Sequence, residues 1–191
     1  MANSNSLQLA EQQVNSRGAK FFPLSDTGGE RVFWTFGSKS DPLSTQWGVS
    51  QFDPSAGSTR CNMDFICDTQ MITSLSAFDA WARQYIEKNS HRLFNKTLTD
   101  GQVADGYKHT LIERGAYPSQ VRCKINLSGP RAVRCWDEQG NPRDAPENWR
   151  ACKFVAKVNA SHLWIMSKEM GFVLNITDLQ IFEESRVCPF V

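Results

Sequence analysis

The fold turns on Ala151-Cys152-Lys153-Phe154-Val155-Ala156-Lys157-Val158, followed by His162-Leu163-Trp164-Ile165-Met166 and Phe172-Val173-Leu174-Asn175-Ile176. In the first run Phe154, Ala156 and Val158 alternate with Lys153, Val155 and Lys157, the period of a strand with one face in a core and the other in water. The next runs, His162–Met166 and Phe172–Phe182, are short and rich in β-branched and aromatic residues, and Met170-Gly171 reads as the turn between them. Upstream, Val121–Leu127 and Arg131–Asp137 alternate in the same way. Asp137-Glu138-Gln139-Gly140-Asn141 is a hairpin turn in which Gly140 can take a positive φ. A Pro-rich loop, Asn141 to Trp149, links these to the opening run. Five short strands packed into about 65 residues predict a small closed sheet of OB type over Tyr117–Glu184.

Earlier in the chain, Cys61–Cys67 alternates as a half-buried strand, preceded by the turn cluster Asp53-Pro54-Ser55-Ala56-Gly57-Ser58. Within Phe21–Phe52, Val32–Phe36 is the clearest strand. Between these and the later strands Leu75, Phe78, Ala82, Tyr85 and Ile86 recur at helical spacing, with Trp81 at the stripe's edge. That predicts a helix over Ser74–Phe94 capped by Thr73 or Ser74. Thr99 and Gln102 form a capping-box pattern for a shorter helix to Tyr107. The reading is therefore mainly β with inserted helix (α+β), a five-stranded OB-type barrel whose early strands, from about Arg31 to Cys67, precede the long helix. Residues 1–19, polar and without period, read as a flexible arm. Residues 20–184 read as one domain with a helical insertion at about 74–107, and 185–191 as a short tail.

Hydrophobic residues make up 40% of the 191 residues and aromatics 11%, enough for a real core. Lysine plus arginine number 21 against 20 acids, so partners must be inferred from where charges sit rather than from their sum. The six cysteines are scattered with no CxxC pair, and Met1–Gln13 has no apolar leader, so the expectation is reduced thiols in an intracellular, reducing compartment. No apolar run approaches the roughly 18 residues that cross a membrane. GxSxG, P-loop and HExxH patterns are absent, and the histidines at 91, 109 and 162 offer no clustered ligands. The expectation is a non-enzyme with no cofactor and no metal. Asp64 and Asp68 read as solvated carboxylates.

Between Arg114 and Lys157 nine basic residues face four acids, a local excess of five. Alternation places Arg122 and Lys124 on one face of their strand and Val121, Cys123 and Ile125 on the other. It puts Arg134 beside Trp136, opposite Val133 and Cys135, and Lys153 beside Lys157. Cations with an aromatic on the polar side of strands suit a single nucleic-acid strand, cations on phosphates and rings under bases. Any one-sided sheet also alternates charge, so Trp136 discriminates: it either stacks on a base or is covered by the helix or the Pro-rich loop. Trp164 and Met166 read as core. Trp34, Phe36 and Trp47 read as a second aromatic patch or as core.

The order of these features resembles a known family. Tyr117-Pro118 leads to a basic strand, then Val133-Arg134-Cys135-Trp136-Asp137-Glu138-Gln139-Gly140, a loop ending in Trp149, Leu163-Trp164-Ile165-Met166, and Met170-Gly171-Phe172-Val173-Leu174-Asn175-Ile176. Over about residues 60–184 this is similar to the single-stranded DNA-binding proteins of short-tailed phages and their relatives in large eukaryotic DNA viruses. The resemblance implies an OB barrel that binds single-stranded DNA, or RNA, without sequence preference, in replication or recombination. By position it implies Arg122, Lys124, Arg134, Trp136, Lys153, Lys157 and Trp164 as contacts, and further copies of the chain and replication proteins as partners. The ending Glu183-Glu184-Ser185-Arg186-Val187-Cys188-Pro189-Phe190-Val191 departs from the acidic tail of the phage members, which leaves tail-mediated recruitment in doubt. A viral structural or protein-interaction module is the competing function.

Overall fold

The computed structural model describes residues 6–15, 18–51 and 60–183. The expected turn cluster at 53–58, Phe52, the first five residues of the expected arm and the tail 185–191 lie outside the described residues. In chain order the strands and helices are β1 (Leu7–Leu9), β2 (Gln13–Val14), β3 (Lys20–Asp26), β4 (Val32–Phe36), β5 (Thr45–Gln51), β6 (Arg60–Ile66), α1 (Thr69–Lys88), α2 (Ser90–Phe94) and α3 (Asp100–Gly106). Then follow β7 (Tyr107–Lys108), β8 (Leu111–Ile112), β9 (Gln120–Asn126), β10 (Arg134–Trp136), β11 (Pro142–Arg143), β12 (Cys152–Met166) and β13 (Glu169–Glu183). Thirteen strands join in one sheet along β1-β3-β12-β13-β9-β6-β5, with the helices carried on it, a β-rich α+β architecture. The additional strands come from the N-terminal half and from short ladders that the Tyr117–Glu184 window did not include.

β12 and β13 organise the sheet. Their fifteen-residue antiparallel ladder runs from Cys152↔Glu183 to Met166↔Glu169. One face of β12 buries Cys152, Phe154, Ala156, Val158, Ala160 and Leu163. The jump from even to odd numbering occurs where Ser161 is skipped between Ala160↔Leu174 and His162↔Val173. An opposite slip at Thr177, between Lys157↔Asp178 and Val158↔Ile176, moves β13 from Leu174 and Ile176 to Leu179 and Ile181 in the core. Each bulge adds one residue to one strand, so the two cancel and both faces stay continuous. This explains a sequence that reads as two strands, 151–158 and 162–166, where one continuous strand exists. The turn lies at Ser167-Lys168, with Ser167 at φ 57°, rather than at Met170-Gly171.

Two further expectations shift. The long helix begins at Thr69, not Ser74, because Asp68 supplies the cap, accepting from the Met71 amide at 2.7 Å. It ends at Lys88, and α2 continues it after Asn89. Residues 7–14, expected as part of a free arm, form β1 and β2 on β3, with Leu7 and Leu9 buried. The capping box at Thr99 and Gln102 forms as read. The helices are inserted between β6 and β9, which pair directly from Arg60↔Asn126 to Ile66↔Gln120. Phe78 fixes α1 to the sheet, its ring 4.9 Å from those of both Trp34 and Phe172. Buried Asp79 accepts from the Tyr107 hydroxyl at 2.7 Å and from the Thr110 amide, pinning the return toward the sheet.

Residues 43–45 tie β12 to β6. Leu43 and Phe154 exchange backbone bonds of 2.8 and 2.9 Å, and the Ser44 carbonyl accepts from the Ile66 amide at 3.0 Å. Gly37 makes this approach possible. It sits at φ 72°, and a Cβ there would lie 2.9 Å from the Leu43 side chain and 3.1 Å from the Phe154 carbonyl. Gly37→Ala is therefore expected to cost about 1–3 kcal/mol. Thermal unfolding followed by circular dichroism reads this as a melting temperature lowered by several degrees; an unchanged value would contradict the tight approach.

Candidate nucleic-acid interface

On β12 the residues facing away from the core are Lys153, Val155, Lys157 and Asn159, and their β13 partners are Phe182, Gln180, Asp178 and Asn175. Directly paired residues share a face, so the outer surface continues from β12 to β13. It reaches Lys124 on β9 through Asn175↔Lys124, and Asn62 on β6 through Asn62↔Lys124. On the other side of β12, β4 presents Phe33 opposite Asn159. Phe33 is 42% exposed, and the Lys157 ammonium lies 5.0 Å from its ring centroid.

Each expected contact residue has a defined place. Arg134 and Trp136 sit on β10, parallel to β13 at Asp178 and Gln180. The Asp178 carboxylate accepts from Arg134 Nε and Nη2 at 2.8 and 2.9 Å and from the Trp136 indole N–H at 3.2 Å. Burial pulls the Asp178 carboxyl upward, but the hydrogen bonds from Arg134, Thr177 and Trp136 outweigh it and hold the group below the usual range. Trp136 is thus half-buried, its indole nitrogen held by Asp178, and Pro142 of the Pro-rich loop pairs with it across the β10–β11 ladder. Arg122 makes a bidentate pair with buried Asp64, at 2.8 and 2.7 Å, which raises the guanidinium's proton affinity. Asp64 is not the solvated carboxylate expected; it is the counter-ion of Arg122, and Asp68 is a helix cap. Lys124 donates to Asn62. Trp164, beyond the Ser161 bulge, is half-buried between Phe21 and Gly171 and stands apart from the others along β12.

Sequence reasoning missed four residues of this face. Phe33 was legible, since Val32, Trp34 and Phe36 turn inward and leave Phe33 and Thr35 outward. Asp178 was hidden by the bulge at Thr177. Arg60 lies on the outer face by register with Asn126, and Arg131 sits in the loop before β10. These cations act on one another. Burial first, then the charges of Arg60 and Arg122, lowers the proton affinity of Lys124, and burial then Arg131 does the same to Arg60. Cations held where they repel one another favour an anion among them.

In fold the chain is similar to gp2.5, the single-stranded DNA-binding protein encoded by bacteriophage T7. The likeness to the crystal structure of gp2.5 covers 82% of this chain and 89% of that one, with a TM-score of 0.52 and 11% sequence identity. At that identity the shared property is the β-rich framework, and gp2.5 lends no residue roles. No protein-family model matches the chain, and no curated protein matches it in sequence.

His162 on the same face reports on this electrostatic setting. Burial, and then the charge of Arg60 on β6, pushes its pKa down to about 4. With the folded pKa below the unfolded one, the folded protein binds fewer protons, and stability is lost as pH falls from about 6.5 toward 4. His162→Gln should lose less stability than the parent protein between pH 7 and pH ~4.5. Parallel denaturant titrations at both pH values check this, and equal losses would contradict the half-buried, neutral histidine.

Proposed function

We propose that this chain is a sequence-tolerant single-stranded DNA-binding protein, a binding protein and not an enzyme, acting in replication or recombination. Its working unit is an OB-type barrel of β12, β13, β9, β6 and the start of β5, closed by the Leu43–Phe154 bonds. The strand lies across the outer face. Phosphates approach Lys124, Arg60, Arg131, Lys157 and Lys153, and bases stack on Phe33 and Trp136. The observation that carries the reading is that Arg60, Lys124 and Lys157 share one sheet face with the exposed ring of Phe33, with Arg131 acting on Arg60 from the adjoining loop. The fold it shares with gp2.5, a single-stranded DNA-binding protein, supports it. Stacking of about 1–3 kcal/mol per base gives affinity without sequence choice, because every base has a π-face. Each neutralised phosphate adds a salt-dependent contribution.

Asp178 tempers this face. Its carboxylate occupies Arg134 and stands opposite Lys157 in register, as a phosphate would. Titration of tryptophan fluorescence with oligo-dT across salt concentrations tests the proposal. The parent protein binds at low salt, with log affinity falling linearly against log salt. Lys157→Gln should make that slope shallower by about 0.7, and Asp178→Asn should make it steeper by about 0.7. Failure of the parent protein to bind oligo-dT or oligo-rU at low salt would overturn the reading and favour a structural module; tighter binding to oligo-rU would reassign the substrate to RNA.

A further inference from the structure

Trp47, on β5, is 49% exposed. It is displayed by a bulge. Thr45 pairs with Phe65 and Val49 with Met63, so three residues of β5, Gln46 to Gly48, oppose the single Asp64 of β6. The bulge is held from several sides. The Gly48 amide donates to the Thr45 hydroxyl at 3.1 Å, and Gly48 at φ 71° packs where a Cβ would meet that of Trp149 at 3.2 Å. Trp149 in turn stacks on the core ring of Phe154, 6.0 Å between centroids. Arg150 donates from Nε to the Trp47 carbonyl at 3.3 Å, and its guanidinium carbon lies 5.8 Å from the Trp47 ring centroid. The short 3₁₀ turn Trp149–Ala151 that carries Arg150 is capped by Asn148. The backbone beneath Trp47 is thus fixed while half of the side chain meets water. A bulge that re-aims a large ring outward, and leaves its apolar area wet, has a cost that a ligand would offset.

We infer that Trp47 and Arg150 form a second base-stacking platform, one that receives a nucleobase of the same single strand where it leaves the sheet. The inference rests on the single-strand reading above. Arg150 lies two residues before the start of β12, and the outward cations of that strand follow at Lys153 and Lys157, about 13 Å apart at ~3.3 Å per residue. In chain order Arg150, beside Trp47, comes before Lys153, and Lys157, beside Phe33, ends the row. OB folds take roughly 4–16 nucleotides, long enough for one strand to reach both ends of that row. The guanidinium beside the ring serves either a phosphate or a stacked base, as interleaved arginine and aromatic side chains do in single-strand channels. An apolar protein partner would use the ring but not the row of cations.

Photo-crosslinking with 5-iodouracil-substituted oligo-dT, mapped by mass spectrometry, is combined with affinities of Trp47→Ala, Trp47→Phe and Arg150→Ala. The expected result is a crosslink at Trp47 in the parent protein. Trp47→Ala should weaken binding by about tenfold with little change in melting temperature, and Trp47→Phe should recover most of that loss. The crosslink is read on unmodified protein, so it decides even if a variant folds poorly. Crosslinks mapping only to Phe33 and Trp136, with Trp47→Ala binding as tightly as the parent, would overturn this inference and leave the single-strand reading standing. Absence of binding by the parent protein would overturn both.

Discussion

Strand β12 is constrained from both sides, and everything that positions the candidate interface follows from that constraint. It pairs with β13 along one edge and with β3, β4 and Leu43 along the other. With both edges occupied, its register cannot slip without turning Phe154, Ala156 and Val158 out of the core and Lys153 and Lys157 into it. Fully burying one such side chain is worth about 1.5–3 kcal/mol, so core packing fixes the direction of the cations at no separate cost. The bulges at Ser161 and Thr177 are tolerated because each is matched by the other on the partner strand. They let a straight ladder bend while Leu163, Leu179 and Ile181 remain inside.

Charge on this surface is arranged, not merely abundant. Arg122 and Arg134 are committed to Asp64 and Asp178, and these pairs orient the strands they join. Burial and the neighbouring cations lower the proton affinity of Lys124 and of Arg60, and Lys157 rests on an aromatic ring. The opposite sign collects elsewhere. A cleft of about 790 Å³ is lined by Asp137, Asp144, Glu147 and Glu183 around Arg143 and would repel a phosphate backbone. A molecule of net charge +1 therefore carries a basic face and an acidic cleft. That segregation sets up a local field that the sum of charges does not reveal.

Much of this was legible in the sequence wherever one period ran unbroken. Val32–Phe36, Gln120–Asn126 and the Cys152–Val158 part of β12 show strict alternation, and the capping box at Thr99 announced α3. Legibility failed where a local device changed the period or replaced it. The paired bulges divided β12 into two apparent strands and concealed that Asp178 shares a face with Lys157. Asp68 outcompeted Thr73 and Ser74 as cap because the strand before it ends at Ile66 and delivers the aspartate to the helix start. Asp64 looked solvated because its partner, Arg122, is distant in sequence and adjacent only through the β6–β9 register. Trp47 could be read as patch or core, since nothing local shows that β5 carries two extra residues opposite Asp64.

The central claim is that a single strand occupies the outer face of β4, β12, β13, β9 and β6. Amide and indole nuclear magnetic resonance spectra, recorded while oligo-dT is added, test it most directly. The largest shift changes should map to Phe33, Lys124, Asn159 and the neighbours of Lys157, and to the Trp136 indole N–H. The acidic cleft around Asp144 and Glu147 should stay unmoved. Shift changes confined to α1 or to that cleft, with the sheet face silent, would contradict the account.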